Sequence, residues 1–227
     1  CTRGKSKSIL VIGAGPSGLE AAMSLGRRGY EVTLADGNEA GGRILNESKL
    51  PGLASYKRVS DFRISQIQKM NNVNFFPGSY MSDNAVFEFN PDQVLIATGS
   101  YWRSDGIGRA SFKPVPGIDS HPKCFTPDSI FKFKYQSSEN IVIYDDDHYY
   151  MGSVIAQLLA EKGMAVTLIT PAPEVSYWSK NTMEQHRVEK VLLSCKVKLV
   201  VKHTIYSVDG NTVRFQCNVT REFVEYD

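Results

Sequence analysis

Residues 8–18 read SILVIGAGPSG, and this stretch decides the fold. An apolar, mostly β-favouring run changes into a glycine-rich turn, so the pattern predicts a strand, a phosphate-binding loop and a helix that begins near Pro16. Gly13 permits a tight turn, Gly15 lets the backbone approach a pyrophosphate, and Gly18 lets the helix pack closely on the strand. The start of that helix offers N–H groups and the positive end of a dipole to phosphates.

An acidic residue follows at the spacing that this pattern requires. Asp36 comes directly after the apolar run at residues 32–35, about 20 residues beyond the glycines, where a carboxylate can accept a hydrogen bond from a ribose hydroxyl. A second glycine-rich stretch, GNEAGGR at residues 37–43, allows close backbone approach and is expected to complete the pocket. The predicted nucleotide-binding residues are therefore Gly13, Gly15, Pro16, Ser17, Gly18, Asp36, Gly37, Gly41, Gly42 and Arg43.

Composition and charge exclude several other classes of function. The 227 residues are 42% hydrophobic, which is enough to fill the core of one large domain or two ordinary domains. The formal charge of +2 arises from 26 basic and 24 acidic residues without a long run of one sign. This balance argues against nucleic acid or an anionic membrane as a partner. No apolar run reaches the roughly 20 residues that a membrane span needs.

The cysteines indicate the compartment and exclude some site chemistry. They show no CxxC spacing, which argues against a structural zinc site or a redox dithiol within the chain. A reducing cytoplasm is the expected location. The chain begins without Met or a signal peptide and ends on a partly patterned segment, so we expect a piece of a longer polypeptide. The four cysteines are Cys1, Cys124, Cys195 and Cys217.

Hydrophobic periodicity predicts the elements of the first half. Apolar positions separated by charges favour an amphipathic helix over residues 55–70, whose apolar side chains, Phe62 among them, are expected to pack in the core. Residues 85–89 alternate like an exposed hairpin strand, and the continuous apolar run at 93–97 is typical of a central parallel strand. The other predicted elements are a helix at 17–29 and strands at 31–35 and 73–76.

The second half repeats the first. Gly29-Tyr-Glu-Val-Thr-Leu matches Gly163-Met-Ala-Val-Thr-Leu at an offset of 134 residues (163 − 29), and Gly18 matches Gly152 at the same offset. Two dinucleotide-type βαβ units are therefore expected in succession. The predicted elements are strands at 140–144, 166–170 and 197–201, helices at 152–162 and 183–194, and a hairpin of 204–208 and 212–216 around a turn at 209–211.

The repeat keeps the helix-packing glycine and loses the other features of a nucleotide site. Carboxylates at the phosphate position would repel a pyrophosphate, and a tyrosine ring would fill the space that it needs. NADH and NADPH are therefore not expected to bind to this half. At the repeat offset Gly13 becomes Asp147, Gly15 becomes Tyr149 and Asp36 becomes Thr170, while Gly18 becomes Gly152.

Residues 145–148 read DDDH and raise the hypothesis of a metal site. Four consecutive residues on a turn cannot all point at one ion, so a degenerate nucleotide loop is the favoured interpretation. The other histidines stand alone, which favours structural or exposed roles. For the aromatic residues near this loop, packing between the halves is favoured over a docking surface. These residues are His121, His186 and His203, and Tyr149, Tyr150, Tyr177 and Trp178.

Four motifs of the first half together resemble a known flavoprotein domain. The combination of VIGAGPSG, Asp36, GGR and VLIATG (residues 94–99) resembles the nucleotide-binding domain of glutathione-reductase-type enzymes. In that family the ATG turn closes the FAD-binding half, which adds Ala97, Thr98 and Gly99 to the predicted site. The resemblance implies an α/β fold of two Rossmann-like units with parallel sheets and β-hairpin additions.

A narrower resemblance covers nearly the whole chain. Its motifs are YWR at 101–103, DG at 105–106, FTPD at 125–128, DDDHYYMG at 145–152, and TLITPA and WSKNTMEQ downstream. These stretches resemble the C-terminal region of the trimethylamine and dimethylamine dehydrogenase family. That family includes histamine dehydrogenase and N-demethylases, and it is related to the NADH:flavin oxidoreductases and dienoyl-CoA reductases.

This resemblance implies a much larger parent protein. The parent would have an N-terminal TIM barrel with covalent FMN, a 4Fe-4S cluster and a homodimeric assembly. It would oxidise a C–N bond and pass electrons to an electron-transfer flavoprotein instead of a nicotinamide. In amine dehydrogenases of the family the nucleotide pocket holds ADP, and in dienoyl-CoA reductases it holds FAD. No cluster cysteine, flavin cysteine or catalytic residue of the family is carried over to this chain.

The sequence therefore predicts a cofactor-binding scaffold in two domains. Residues 1–135 are expected to form an ADP- or FAD-binding domain, completed by residues beyond the C-terminus, and residues 136–227 a degenerate NAD(P)-binding-like domain. One alternative is an independent FAD- and NAD(P)H-dependent reductase, which needs a dithiol or a second working glycine loop. Another is a non-enzymatic nucleotide sensor, which differs from the preferred function only in what is attached upstream.

Overall fold

A computed structural model describes residues 7–119, 121–131 and 140–227 of the chain. The chain forms two compact units, Cys1–Ser100 and Tyr101–Asp227. The boundary predicted from the sequence, between residues 135 and 136, lies outside the described residues.

The second unit begins early because the segment after Ser100 packs into it. Val115 is buried in one cluster with Ile169 and Phe215 of this unit. Gly117 lies so close to the chain that a Cβ built on it would be 1.8 Å from the carbonyl oxygen of Val208. Residues 101–119 therefore belong to the core of the second unit, although no sequence repeat includes them.

The first unit is a parallel sheet with strand order β3-β2-β1-β4. Ile12 of β1 pairs with Ala35 of β2 on one side and with Ile96 of β4 on the other, so the loops after these strands leave the sheet at one edge. The elements are β1 (Ser8–Ile12), α1 (Pro16–Arg27), β2 (Glu31–Ala35), α2 (Ile44–Glu47), a 3₁₀ turn (Ala54–Tyr56), α3 (Lys57–Ile67), β3 (Val73–Phe76), α4 (Asp83–Phe89) and β4 (Gln93–Ile96).

Helix α1 holds the glycine-rich loop in place by packing on the sheet. Its buried side chains Leu19, Ala22 and Met23 follow helical spacing and join the core of the unit. Gly26 lets the helix approach β3, because a Cβ there would lie 2.4 Å from Cγ2 of Val73. The core thus fixes both the strand that precedes the loop and the helix that follows it.

Helix α3 confirms the predicted amphipathic helix within residues 55–70, but one expected core residue is wrong. Ile67 is buried, whereas Phe62 is exposed. The helix lies on the unit with a narrow apolar face, so a side chain off that face remains in contact with solvent.

The predicted strand at residues 85–89 is wrong, because this segment forms helix α4. Ser82 caps the helix, and its Oγ accepts a hydrogen bond from the amide of Ala85 at 3.3 Å. Asn90 takes a left-handed conformation (φ 49°) and ends it. A Ser cap and an Asn stop outweigh a short alternating pattern, which also fits two helical turns.

Residues 93–97, which were predicted to form a central strand, contain the parallel strand β4. Within the described residues β4 is an edge strand that pairs with β1. Val94 is 42% exposed and Ile96 is 74% exposed, despite their apolar side chains. The run therefore has the apolar composition of a strand that other elements cover, but it lies at the exposed edge of the sheet.

The second unit contains a parallel sheet and an antiparallel one, with orders β5-β6-β7 and β10-β9-β8. Phe215 of β9 and Ile169 of β6 are fully buried in a common core. The elements are a 3₁₀ turn (Pro127–Ser129), β5 (Asn140–Tyr144), α5 (Met151–Glu161), β6 (Ala165–Ile169), a 3₁₀ helix (Tyr177–Thr182), α6 (Gln185–Ser194), β7 (Lys198–Val200), β8 (His203–Asp209), β9 (Thr212–Cys217) and β10 (Phe223–Tyr226).

These elements confirm the predicted fold class, and two details differ from the sequence patterns. Helix α6 begins later than predicted, because Met183 is left-handed (φ 59°) and ends the preceding 3₁₀ helix. Strand β10 was not predicted and pairs antiparallel with β9, which extends the expected hairpin to three strands. No helix in the described residues has both the length and the apolar character that a membrane span requires.

Candidate nucleotide-binding site

Two glycines of the first loop are required by the protein itself. Gly13 has φ +102°, and a Cβ there would lie 2.3 Å from the carbonyl oxygen of Ala97. A Cβ on Gly18 would lie 1.7 Å from the carbonyl oxygen of Gly13. Both positions are closed by backbone, so any side chain would force β1, α1 or β4 apart.

Gly15 is different, because no contact with the described part of the chain requires a glycine there. Its backbone is extended (φ −70°, ψ −178°), a conformation open to every residue. A Cβ built on it meets no atom of the described residues within 4 Å. The space in front of Gly15 is free, so the absence of a side chain there serves something outside the chain.

Gly15 is also the N-cap of helix α1, which starts at Pro16 and Ser17. All of this helix is described, and within it no side chain caps the first turn and no acidic residue lies there. The dipole and the amides of the first turn therefore favour an anion in the free space before Gly15. Phosphate groups meet that requirement.

Asp36 has a structural task that the sequence reasoning missed. Its Oδ2 accepts a hydrogen bond from the amide of Ala14 at 2.6 Å, and its Oδ1 accepts one from the amide of Asn38 at 2.7 Å. The carboxylate therefore joins the glycine-rich loop to the end of β2. The pattern Asp-x-Asn after a strand was the available signal, because Asp often bonds an amide two residues on.

The second glycine-rich stretch lies against the first. The amide of Gly41 donates to the carbonyl of Ala14 at 2.8 Å, and a Cβ on Gly42 would lie 2.9 Å from Cα of Gly15. Gly37 lies nearer the exposed ring of Tyr80, which a Cβ would meet at 3.6 Å. Residues 37–43 thus form one wall of the space before Gly15.

The turn after β4 closes the opposite wall. The amide of Ala97 donates to the carbonyl of Ile12 at 2.7 Å, and Gly99 has φ +77°. The guanidinium of Arg43 donates to the carbonyl of Ser100, which links the second glycine-rich stretch to this turn. The structure therefore gathers all thirteen predicted residues, Thr98 included, at the carboxyl ends of β1, β2 and β4.

The second unit repeats this arrangement, with a different partner for Gly13 than the sequence offset suggests. The amide of Gly13 donates to the carbonyl of Ala35 at 2.8 Å, and the amide of Asp145 donates to the carbonyl of Ile169 at 2.8 Å. Asp145, not Asp147, therefore takes the place of Gly13. The offset fails because the loop spans residues 145–150, whereas its counterpart spans only 13–15.

Two of the other three matches agree with the repeat. The amide of Ala172 donates to Oγ1 of Thr170 at 3.2 Å, as Asn38 does to Asp36. Gly152, like Gly18, lies against the residue that follows the first strand, since a Cβ there would be 2.7 Å from Cγ of Asp145. Thr170 is fully buried, so it offers no group to a ribose.

Asp145 is an unusual buried acid. It is 3% exposed, and its Oδ1 accepts hydrogen bonds from the amides of Asp147 and His148, both at 3.2 Å. In the described part of the chain its Oδ2 has no hydrogen-bond partner. Burial raises the pKa of this carboxyl to about 6, against the lowering effect of the bond from the His148 amide.

Other candidate groups contribute no second site. Among residues 7–119, 121–131 and 140–227, no three His, Cys, Asp or Glu side chains are grouped to hold a metal ion. The rings of His121 and His203 bond the carbonyls of Gly210 and Val201, at 2.8 and 2.7 Å. Cys1 lies outside the described residues, and Cys124, Cys195 and Cys217 are free thiols.

Comparison with known proteins identifies the family of the chain. The sequence model of the pyridine nucleotide-disulphide oxidoreductases matches residues 7–226. Dimethylamine dehydrogenase of Hyphomicrobium sp. (strain x) is 29% identical over 199 residues, which cover 85% of this chain and 27% of that protein.

Two solved structures are more similar still. Histamine dehydrogenase from Rhizobium sp. 4-9 superposes with a TM-score of 0.94 at 37% identity, over 100% of this chain and 35% of that one. The 6-hydroxypseudooxynicotine amine oxidase of Pseudomonas geniculata gives 0.94 at 38% identity, over 98% of this chain and 34% of that one. The chain thus spans about a third of the solved relatives' length. The resemblance to amine dehydrogenases is confirmed, and the chain belongs to the pyridine nucleotide-disulphide oxidoreductase family.

Proposed function

We propose that the first unit binds an adenine nucleotide, ADP or FAD, through its pyrophosphate. The observation that carries this proposal is Gly15, the glycine of residues 13–18 that neither its backbone conformation nor a contact with the described residues requires. A phosphate group would fill the space in front of it and accept hydrogen bonds from the amides at the start of α1. A pyridine nucleotide-disulphide oxidoreductase fold supports the same class of ligand.

Four of the predicted residues have structural tasks around the proposed pocket. Gly13 and Gly18 set the shape of the loop, and Asp36 holds the amide of Ala14 in position. Arg43 places a positive charge at the wall formed with Ser100. A bound FAD would add a redox-active ring system. A bound ADP would contribute binding contacts with the protein but no electron transfer.

We further propose that this unit is part of an FMN and 4Fe-4S amine dehydrogenase or demethylase. The relatives that carry this proposal are named dimethylamine dehydrogenase and histamine dehydrogenase, and the chain covers about a third of the latter. The parent would oxidise a C–N bond and pass electrons to an electron-transfer flavoprotein. Its homodimeric state, its TIM barrel and its cytoplasmic location are proposals on the same ground.

The exposed strand β4 supports a larger parent. A cavity of about 320 Å³ lies beside it, lined by apolar side chains of the strand and by Ile9 and Leu25. An apolar parallel strand is normally covered on both faces and both edges. We propose that a further segment of the parent pairs with β4 and completes this unit.

An independent NAD(P)H reductase is the second candidate, because the matched family is named for that activity. Such an enzyme needs a second working phosphate loop. The acid at position 145 and the long loop after β5 argue against one in the second unit. We therefore rank this function below nucleotide binding by the first unit alone.

Denaturation of the purified chain followed by chromatography would test the proposal, since released ADP or FAD is separated and identified directly. Binding of ADP to ligand-free chain would then be measured by calorimetry. A Gly15→Val variant should lose this binding and keep the unfolding temperature of the parent chain, because the Cβ at this position lies in the proposed ligand space, more than 4 Å from the described protein atoms. Unchanged affinity in Gly15→Val would contradict the proposal.

A further inference from the structure

In the second unit, the carboxyl ends of β5 and β6 are where a nucleotide-binding crevice would lie. In open parallel sheets, ligands bind in the crevice outside the carboxyl ends of the strands. Here the loop 145–150 follows β5 and the segment 170–178 follows β6, so a dinucleotide would have to run across both. Both segments are described, and both contact a third segment of the same unit.

The first contact is made by Asp146 of the loop after β5. Both oxygens of its carboxylate accept from the amide of Ala110, at 3.1 and 3.0 Å. Gly108 lies so close that a Cβ on it would be 2.1 Å from Oδ2 of Asp146. Residues 108–110 therefore lie directly on the loop that would otherwise hold the pyrophosphate.

The second contact reaches the segment after β6. The guanidinium of Arg109 lies 4.1 Å from the centre of the Trp178 ring, close enough for a cation–π interaction. Trp178 is itself joined to the loop, because its amide donates to the carbonyl of His148 at 2.9 Å. Segment 108–110 thus contacts the loop after β5 through Ala110 and the segment after β6 through Arg109.

A third group secures the acid that holds this segment. The Nε2 atom of His148 lies 3.2 Å from Oδ1 of Asp146, and both side chains are only 12% exposed. His148 reaches this position with a left-handed backbone (φ 64°), which costs free energy in a residue with a side chain. The loop is built around its contact with the chain and not around an external anion.

We propose that residues 108–110 are a strap that occupies the nucleotide crevice of the second unit. The amide of Ala110 satisfies the carboxylate at the phosphate position, and the planar guanidinium of Arg109 stacks where a base would stack. The second unit is therefore a dinucleotide fold that is filled by its own chain. It excludes nicotinamide dinucleotides by occupation of the crevice as well as by charge.

Amide hydrogen exchange of the full chain, followed by mass spectrometry, tests the strap directly. In the unaltered chain the peptide that contains Ala110 should exchange more slowly than an unstructured peptide of the same sequence. In Asp146→Ala its exchange should become about tenfold faster, since the amide loses its acceptor. Asp147→Ala is the matched control from the same loop, and it should leave that peptide unchanged.

A second variant covers the case in which Asp146→Ala does not fold. In a Trp102→Phe background Trp178 is the sole tryptophan, and Arg109→Ala should increase its quenching by acrylamide. Lys113→Ala, which removes a cation three residues after Ala110, is the control and should leave the quenching of Trp178 unchanged.

NADH and NADPH titrated into the ADP-saturated chain should give no saturable binding. The proposal would be overturned if the Ala110 amide of the unaltered chain exchanged as fast as in an unstructured peptide. It would also be overturned by unchanged acrylamide quenching of Trp178 in Arg109→Ala, or by saturable binding of NADH. The exchange and quenching results do not depend on whether the first unit binds ADP, and in the titration the added ADP keeps NADH and NADPH out of the first unit.

Discussion

The amide nitrogen of Ala14 lies 2.6 Å from Oδ2 of Asp36, and this bond ties the centre of the glycine-rich loop to the end of the neighbouring strand. Asp36 was expected to accept a hydrogen bond from a ribose hydroxyl. Its carboxylate thus also fixes the loop that would face the phosphates. A carboxylate oxygen can accept more than one hydrogen bond, so the two tasks are compatible.

Asp36→Ala should weaken ADP binding by about 1–3 kcal/mol, because the loop amide loses its partner and the ribose loses a charged acceptor. Calorimetry and thermal unfolding of the same preparation would separate the loss of affinity from a loss of stability. Asp61→Ala is the matched control: it removes an exposed acid that bonds Lys57 on α3 and should change neither quantity measurably. Full ADP affinity in Asp36→Ala would remove this residue from the site.

The glycines of the first loop should differ in their response to alanine. Gly18→Ala places a methyl group against the carbonyl of Gly13 and should destabilise the unit by about 2 kcal/mol or more. Gly15→Ala places it in free space and should leave the free energy of unfolding within about 0.5 kcal/mol. Denaturant titrations of both variants would check this, and equal destabilisation would show that Gly15 is structural after all.

Asp145→Asn should stabilise the chain at pH 8. Burial raises the folded-state pKa of Asp145 to about 6 from its ordinary value near 3.8, so the charged form is disfavoured in the folded protein. The unaltered chain therefore loses stability as pH rises from about 4 through 6, by at most about 3 kcal/mol for a shift of this size.

The test is denaturant unfolding at pH 4 and pH 8, with Asp147→Asn as the control from the same loop. The gain from Asp145→Asn should be large at pH 8 and small at pH 4, where the acid is protonated in the folded state and about half protonated in the unfolded state. A variant that is less stable than the unaltered chain at pH 8 would show that the Asp145 charge is favourable.

Strand β4 should make the isolated chain prone to self-association. Ile96 is 74% exposed on an edge strand, and exposed apolar edges pair with other chains. Ile96→Lys should raise the monomer fraction in analytical ultracentrifugation at high protein concentration. Glu88→Lys, a charge change on neighbouring α4, serves as the control. An isolated chain that is fully monomeric at all concentrations would contradict the expectation.

The sequence predicted most of the fold because its strongest signals are local. The glycines of residues 13–18 and the apolar strands at 31–35 and 140–144 each depend on their own backbone, and each lies where the pattern put it. The failure at 85–89 has the same origin, since a short alternating run fits a helix once Ser82 caps it. Local patterns resolve elements well when caps and periodicity agree.

Contacts that are distant in sequence could not be read in this way. The bond from Ala110 to Asp146 joins residues with no shared pattern, and the sequence offset placed the acid that replaces Gly13 two positions too late. The offset failed because the loop after β5 is longer: β5 matches β1 at an offset of 132 residues (140 − 8), whereas β6 matches β2 at 134 (165 − 31). Only the pairing of Asp145 with Ile169 identifies the equivalent position.

The free space before Gly15 is proposed to hold the phosphates of an adenine nucleotide. Calorimetric titration of ADP into ligand-free chain, with Gly15→Val and the unaltered chain measured side by side, checks this without any other part of the parent protein. Saturable binding at one site is expected in the unaltered chain and none in Gly15→Val, at the same unfolding temperature. Equal ADP binding by both proteins, or no binding by either, would contradict it.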